Sequence, residues 1–258
     1  MAVGFEPNTS TMGPHGERQT SGDLYARISR VGAAQSPATH CGKLRRLPAA
    51  LLGAGVVEPT DDALSLARAE AQLHRLSNIS FTTSDVHKLD FPDDAFDVVH
   101  AHQVLQHVAD PVRALQEMRR VCTPGGIVAA RDADYSGFIW FPKLPALDRW
   151  LDLYERAARA NGGEPDAGRR LLSWARAAGF DDVTPTASVW CFATASAREW
   201  WGLVWADRIL QSDLAHQLVD SGLATAAQLE EISTAWREWA AAPDGWLAIP
   251  HGEILCRA

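Results

Sequence analysis

ISFTTSDVHKLDFPDDAFDVVHAH, running from Ile79 to His102, decides the fold. Ile79 to Thr83 alternates as a strand does and stops at Ser84-Asp85. Phe91-Pro-Asp-Asp-Ala-Phe-Asp97 is a turn built from proline and aspartate, and Asp97-Val-Val-His-Ala101 is a second, more apolar strand. Two short strands so close to helical segments on either side predict βαβ units and a parallel sheet.

Upstream, Gly53-Ala-Gly-Val-Val-Glu58 reads as a short buried strand ending in an acid. Pro59-Thr60-Asp61-Asp62 offers capping groups and first-turn acids for a helix over residues 63–75. Downstream, Val112, Leu115 and Met118 fall at helical spacing in a helix from Pro111 to Cys122. Thr123-Pro-Gly-Gly126 breaks it, and Ile127-Val-Ala-Ala-Arg131 is another strand. Helices follow over 144–161 and 166–178, then a strand over 183–193. A tryptophan-rich helical stretch over 196–241 and a last strand over 246–257 complete the order. The two late strands suit a terminal hairpin with a helical lid, about residues 196–243, inserted in it. The fold class is therefore α/β: a Rossmann-like, doubly wound, mostly parallel sheet with an antiparallel last strand. Right-handed crossovers put the strand carboxyl ends along one edge, where such folds bind ligands.

The 258 residues are 47% hydrophobic and 22% charged, the balance of an ordinary globular domain. A formal charge of −8 argues against a nucleic-acid backbone as the main partner. No apolar run approaches the ~20 residues that cross a bilayer, and the basic-then-apolar pattern of a secretory signal is absent, so a cytoplasmic protein is expected. Cys41, Cys122, Cys191 and Cys256 are scattered and make neither a disulfide framework nor a zinc motif. Ten tryptophans are many for this length. They read as core first, and as the wall of a pocket for a planar or apolar molecule second.

The run Ser84 to His102, followed by Arg119-Arg-Val-Cys-Thr-Pro-Gly-Gly126, resembles the ubiquinone/menaquinone-biosynthesis type of class I methyltransferase. The likeness is closest over 56–135 and looser, by order of elements, to residue 258. It implies S-adenosylmethionine as cofactor, lying across the strand carboxyl ends. Glu58 then looks like the acid that accepts both ribose hydroxyls; read alone, it is a surface acid before a turn. Asp85 looks like the acceptor for the adenine amino group, with the Val86 backbone at the ring edge; read alone, Asp85 caps a turn. His102 stands where similar proteins touch the methionine part of the cofactor. His102 or His107 would serve as a base, since imidazole titrates near neutrality. Asp134 and Tyr135, just past the fifth strand, would face a small apolar or aromatic acceptor, and the rings of Tyr135 or Trp140 would favour a cationic centre. His100, His102 and His107 do not by their spacing make a metal-ligand set.

The sequence also departs from that family. Similar enzymes open the sheet with an apolar strand and a glycine-rich turn, whose backbone N–H groups approach the cofactor closely. Before Glu58, only His40-Cys41-Gly42 echoes this, and Lys43, Leu44 and Arg45 fill the places where small residues are needed. Residues 1–50 thus read as an irregular leader replacing the first βα unit, expected to stay irregular or to improvise a strand. Two explanations stand side by side: altered coding of that unit, or a non-catalytic binding protein that keeps the fold. Either one lowers cofactor affinity by roughly 10- to 100-fold, the worth of two or three backbone hydrogen bonds. A nicotinamide-dependent oxidoreductase is disfavoured because no G-x-G-x-x-G follows a strand.

Overall fold

In the computed structural model the described residues are 2–7, 54–58, 65, 68, 69, 71–73, 75, 77 and 79–258. The expected helix over 63–75 is described at 65, 68–69 and 71–73, which are helical, and at Arg75, which is a turn with φ 55°. The echo at His40-Cys41-Gly42 and the rest of the leader beyond residue 7 lie outside the described residues.

Among the described residues eight strands make one sheet: β1 (Ala2–Pro7), β2 (Ala54–Glu58), β3 (Ile79–Thr83), β4 (Phe96–His102), β5 (Cys122–Ala133), β6 (Ile139–Phe141), β7 (Val183–Phe192) and β8 (Trp246–Arg257). The parallel pairs β2–β3 and β4–β5 are those that the helix–strand alternation predicts. Five antiparallel pairs surround them, so the sheet is mixed. β1 takes the slot between β2 and β4 and runs against both, with Val3 opposite Val57 on one side and Ala101 on the other. β8 receives β5 along residues 251–257 and the three-residue β6 along 246–248, while β7 runs the length of its other side. The β7–β8 hairpin encloses the helical lid. β6 has no counterpart in the sequence reading, being too short to show a period, and β1 falls in the leader expected to stay irregular or to improvise a strand.

Helix α1 (Pro111–Val121) follows β4 for reasons its sequence states. Pro111 sits at the first turn, where its missing N–H costs nothing, and the Asp110 carboxylate accepts from the Arg113 N–H at 2.9 Å. Ala114, Leu115, Met118 and Val121 are fully buried against Val99, Ala101, Val128 and Ala130 of the sheet. The opposite edge of α1 organises the Phe91–Asp97 turn. Arg120 donates to the carbonyls of Leu89 and Phe91 and to Asp93, each at 2.8 Å, while Glu117 accepts from the Leu89 N–H and from Arg120. The turn that carries the family resemblance is thus fixed by two charged side chains of the next helix. Gly126 is required inside β5, just before its continuous pairing with β4, because a Cβ there would stand 2.7 Å from the Asp97 carbonyl oxygen.

After β5 come α2 (Pro145–Ala160) and α3 (Ala167–Ala177); α4 (Ala195–Gln211), α5 (Asp213–Asp220) and α6 (Ala226–Ala241) occupy the segment expected as a lid. Gly168 of α3 lies against Gly252 of β8 so closely that a Cβ on Gly252 would fall 1.9 Å from the Gly168 carbonyl oxygen. Half of the tryptophans take the core, the first of the two readings above, while Trp246 is exposed. Trp150, Trp205, Trp236 and Trp239 are fully buried and bind the lid to α2 as one aromatic core. No helix among the described residues is long and apolar enough to cross a membrane.

Candidate functional site

The carboxyl ends of β2, β3, β4 and β5 lie along one sheet edge, where open α/β sheets take their ligands. Glu58 ends β2 opposite Thr83, and Asp85 follows two residues later, so the two acids leave adjacent strands at the same edge. Asp85 is 67% exposed, and its Oδ1 accepts from the backbone N–H and the Nδ1 of His87 at 2.9 and 2.7 Å. Those bonds, the backbone one foremost, hold its carboxyl below the usual carboxylate range. Val86 is half-buried beside the core between α1 and the sheet.

His102 ends β4 opposite Arg131 of β5 and Ala2 of β1. It is buried, and its ring lies nearly parallel to that of Trp190 with centroids 5.9 Å apart. His107 is exposed at the end of the 3₁₀ turn Leu105–His107, with Nε2 2.9 Å from Gln106 Nε2. Asp134 forms a bidentate pair with Arg169, through Nη2 to one oxygen and Nε at 2.7 Å to the other, and also accepts from the Arg169 N–H. It therefore closes the first turn of α3 rather than opening onto a cavity. Tyr135 stacks between Tyr154 and Phe138, at 4.2 and 4.5 Å, and burial raises its phenol well above its ordinary range. Trp140 is buried too, with the Lys143 ammonium 3.8 Å from its ring centre. The carboxyl edge thus brings Glu58, Asp85 and His102 together by strand position. Asp134, Tyr135 and Trp140 are held in contacts of the protein's own.

Between these positions lies a polar cluster that the sequence reading missed. Strand register sets His102, Arg131, Glu253 and Thr186 side by side across β4, β5, β8 and β7. Arg131 Nε is 3.0 Å from Glu253 Oε1, both side chains are about 5% exposed, and Ser188 Oγ bonds to both. The Arg131 guanidinium also stands 4.9 Å from the Trp190 ring centre. Next to it His251, 1% exposed, packs on Trp190 at 4.4 Å; its Nδ1 is 3.0 Å from the Ile249 carbonyl and its Nε2 is 2.8 Å from Gln103 Nε2. A signal was available. Arg131-Asp132 and His251-Gly-Glu253 place charge in the middle of apolar strands, which a core admits only when the charges are paired.

His251 makes a pH-dependence that can be measured. Burial first, and the Arg131 charge second, depress its pKa from 6.5 to about 2. Because the folded value lies below the unfolded one, the unfolded chain takes up a proton that the folded chain refuses between pH 6.5 and about 2. Stability contributed by the neutral ring is whole above pH 6.5 and declines below it, by ~1.4 kcal/mol per pH unit. Denaturant unfolding at about pH 7 and about pH 5 is expected to differ by ~2 kcal/mol from this group, and the difference is expected to shrink in His251→Asn. An unchanged difference in that variant would rule His251 out as its source.

The methyltransferase-domain family model matches residues 55–174. An uncharacterized methyltransferase of Schizosaccharomyces pombe is 35% identical over 207 residues, covering 77% of this chain and 73% of that protein. The chain belongs to the methyltransferase family. A demethylmenaquinone methyltransferase of Streptomyces avermitilis is 36% identical over 122 residues, 47% of this chain and 51% of that protein. Among solved structures, a putative methyltransferase from Bacillus halodurans aligns with a TM-score of 0.47 at 16% identity, over 78% of this chain and 81% of that one.

Proposed function

We propose that this methyltransferase moves a methyl group from S-adenosylmethionine to a small apolar or aromatic acceptor. The observation that carries the reading is the pair of acids, Glu58 and Asp85, leaving neighbouring parallel strands at one carboxyl edge. Glu58 accepts the two ribose hydroxyls, for which a carboxylate with two oxygens is suited. Asp85 meets the adenine amino group from an exposed side chain whose Oδ1 is already held by His87, and the Val86 backbone lines the ring edge. His102 borders the methionine part. S-adenosylmethionine, when bound, supplies a sulfonium methyl already activated for transfer, so the chain's own work is to orient and to exclude water. The aromatic side chains packed beside Tyr135 support an apolar acceptor.

Calorimetric titration with S-adenosylmethionine and S-adenosylhomocysteine tests the reading. Glu58→Ala is expected to weaken both by about 10- to 100-fold, the worth of charge-assisted hydrogen bonds. Equal affinity in the variant would end the ribose assignment. A second reading, a binding protein without catalysis, is favoured by one observation. β1 fills the central slot antiparallel to β2 and β4, so its amino end, not a turn leaving it, lies at the carboxyl edge. Transfer of labelled methyl from S-adenosylmethionine to a panel of phenols and quinols separates the two: transfer supports the enzyme, and binding without transfer supports the rival.

A further inference from the structure

Gln103 is one of three described residues other than glycine with positive φ, at 58°, and it directly follows His102 at the carboxyl end of β4. Such a backbone persists only where its surroundings fix it, and it clusters at working sites. Here a one-way chain of hydrogen bonds fixes it. The Ala133 N–H donates to Gln106 Oε1 at 3.1 Å, and the Gln106 N–H is received by Asp132 Oδ1 at 3.0 Å. Gln106 Nε2 then donates to Gln103 Oε1 at 2.9 Å. Gln103 Nε2 faces His251 Nε2 at 2.8 Å, and His251 Nδ1 faces the Ile249 carbonyl at 3.0 Å. A backbone N–H can only donate and a carbonyl can only accept, so both ends of the chain dictate every polarity between them. His251 must be neutral with its proton on Nδ1.

We propose that His251 is a positioning residue of the cofactor edge: through Gln103 it holds the end of β4 against the lid-bearing strand β8. The proposal rests on the cofactor reading above, in which that end of β4 borders the methionine part. His251 touches neither cofactor nor acceptor; it acts by accepting from Gln103. The charged and titratable groups around it are Arg131 from β5, Glu253 of its own strand, paired with Arg131, and His102 of β4 across the Trp190 ring.

The test uses S-adenosylhomocysteine as probe, titrated calorimetrically between about pH 5.5 and about pH 8, a range that spans ordinary imidazole titration. Gln103→Glu keeps size and still accepts from Gln106, but offers His251 an oxygen in place of an N–H. The introduced carboxylate, unlike the amide, counters the Arg131 charge and draws a proton onto the carboxyl–imidazole pair, and the chain closes only while the pair holds that proton, so affinity is expected to fall about 10-fold from the acid to the alkaline end. The wild-type chain should show no such fall, and His251→Phe should bind about 10-fold more weakly at every pH. A role in stability alone would not give Gln103→Glu a pH profile of its own. If all three proteins bind alike at each pH, the positioning role is overturned while the cofactor reading stands. If the wild-type chain does not bind the probe at all, both fall.

Discussion

Arg131→Met is expected to destabilise the fold by about 3–5 kcal/mol, the cost of leaving one member of a buried ion pair without its counter-charge. Glu253 would keep Ser188 and Thr186 as donors, at 3.0 Å from Thr186. Neither hydroxyl carries charge, and the carboxylate is only 4% exposed. Urea unfolding at about pH 7 measures the loss. The double variant Arg131→Met/Glu253→Leu is expected to recover most of it, because two apolar side chains of similar volume replace a desolvated pair. A single variant within about 0.5 kcal/mol of wild type would show that water or another group already neutralises Glu253. The same pair braces the candidate site. Arg131 stands opposite His102, and its backbone carbonyl accepts from the Gln103 N–H at 2.8 Å.

How much of this was legible beforehand follows from which residues carry period and which carry partners. The helices over 111–121, 145–160 and 167–177 and the last strand over 246–257 matched their sequence reading to within a residue or two, because their apolar periods and their proline, glycine and aspartate stops are local. The lid between β7 and β8 was legible as helical for the same reason. What was not legible depended on tertiary pairing. Ala2–Pro7 has no period that assigns it to the sheet's centre, and only its pairing with β2 and β4 does so. β6 is three residues long. Asp134 reads as an open acid until α3 folds back and delivers Arg169 to it. Tyr135 reads as facing an acceptor until α2 brings Tyr154 against it. His251 lies 148 residues from Gln103, a separation that no window of sequence spans.

Trp150→Ala is expected to cost about 3–5 kcal/mol and to loosen the lid before the sheet. Trp150 is fully buried on α2, edge-to-face with Trp205 of α4 at 4.6 Å and with Trp236 of α6 at 4.9 Å. One side chain thus joins the helix that follows β6 to two helices of the insertion, and no smaller residue reaches both. Removing it leaves a cavity walled by rigid rings, which cannot collapse to fill it as aliphatic side chains partly do. Trp150→Phe keeps one aromatic contact and is expected to lose about half as much. Trp246, 39% exposed at the start of β8, is the control: its alanine variant should lie within about 0.5 kcal/mol of wild type. Hydrogen exchange locates the damage. Amides of α4 and α6 should lose protection in Trp150→Ala while those of β4, β5 and α1 keep theirs, since the lid core and the sheet core are separate clusters. Uniform loss across both clusters would mean that they unfold as one unit, and that the aromatic insertion is part of the fold's foundation.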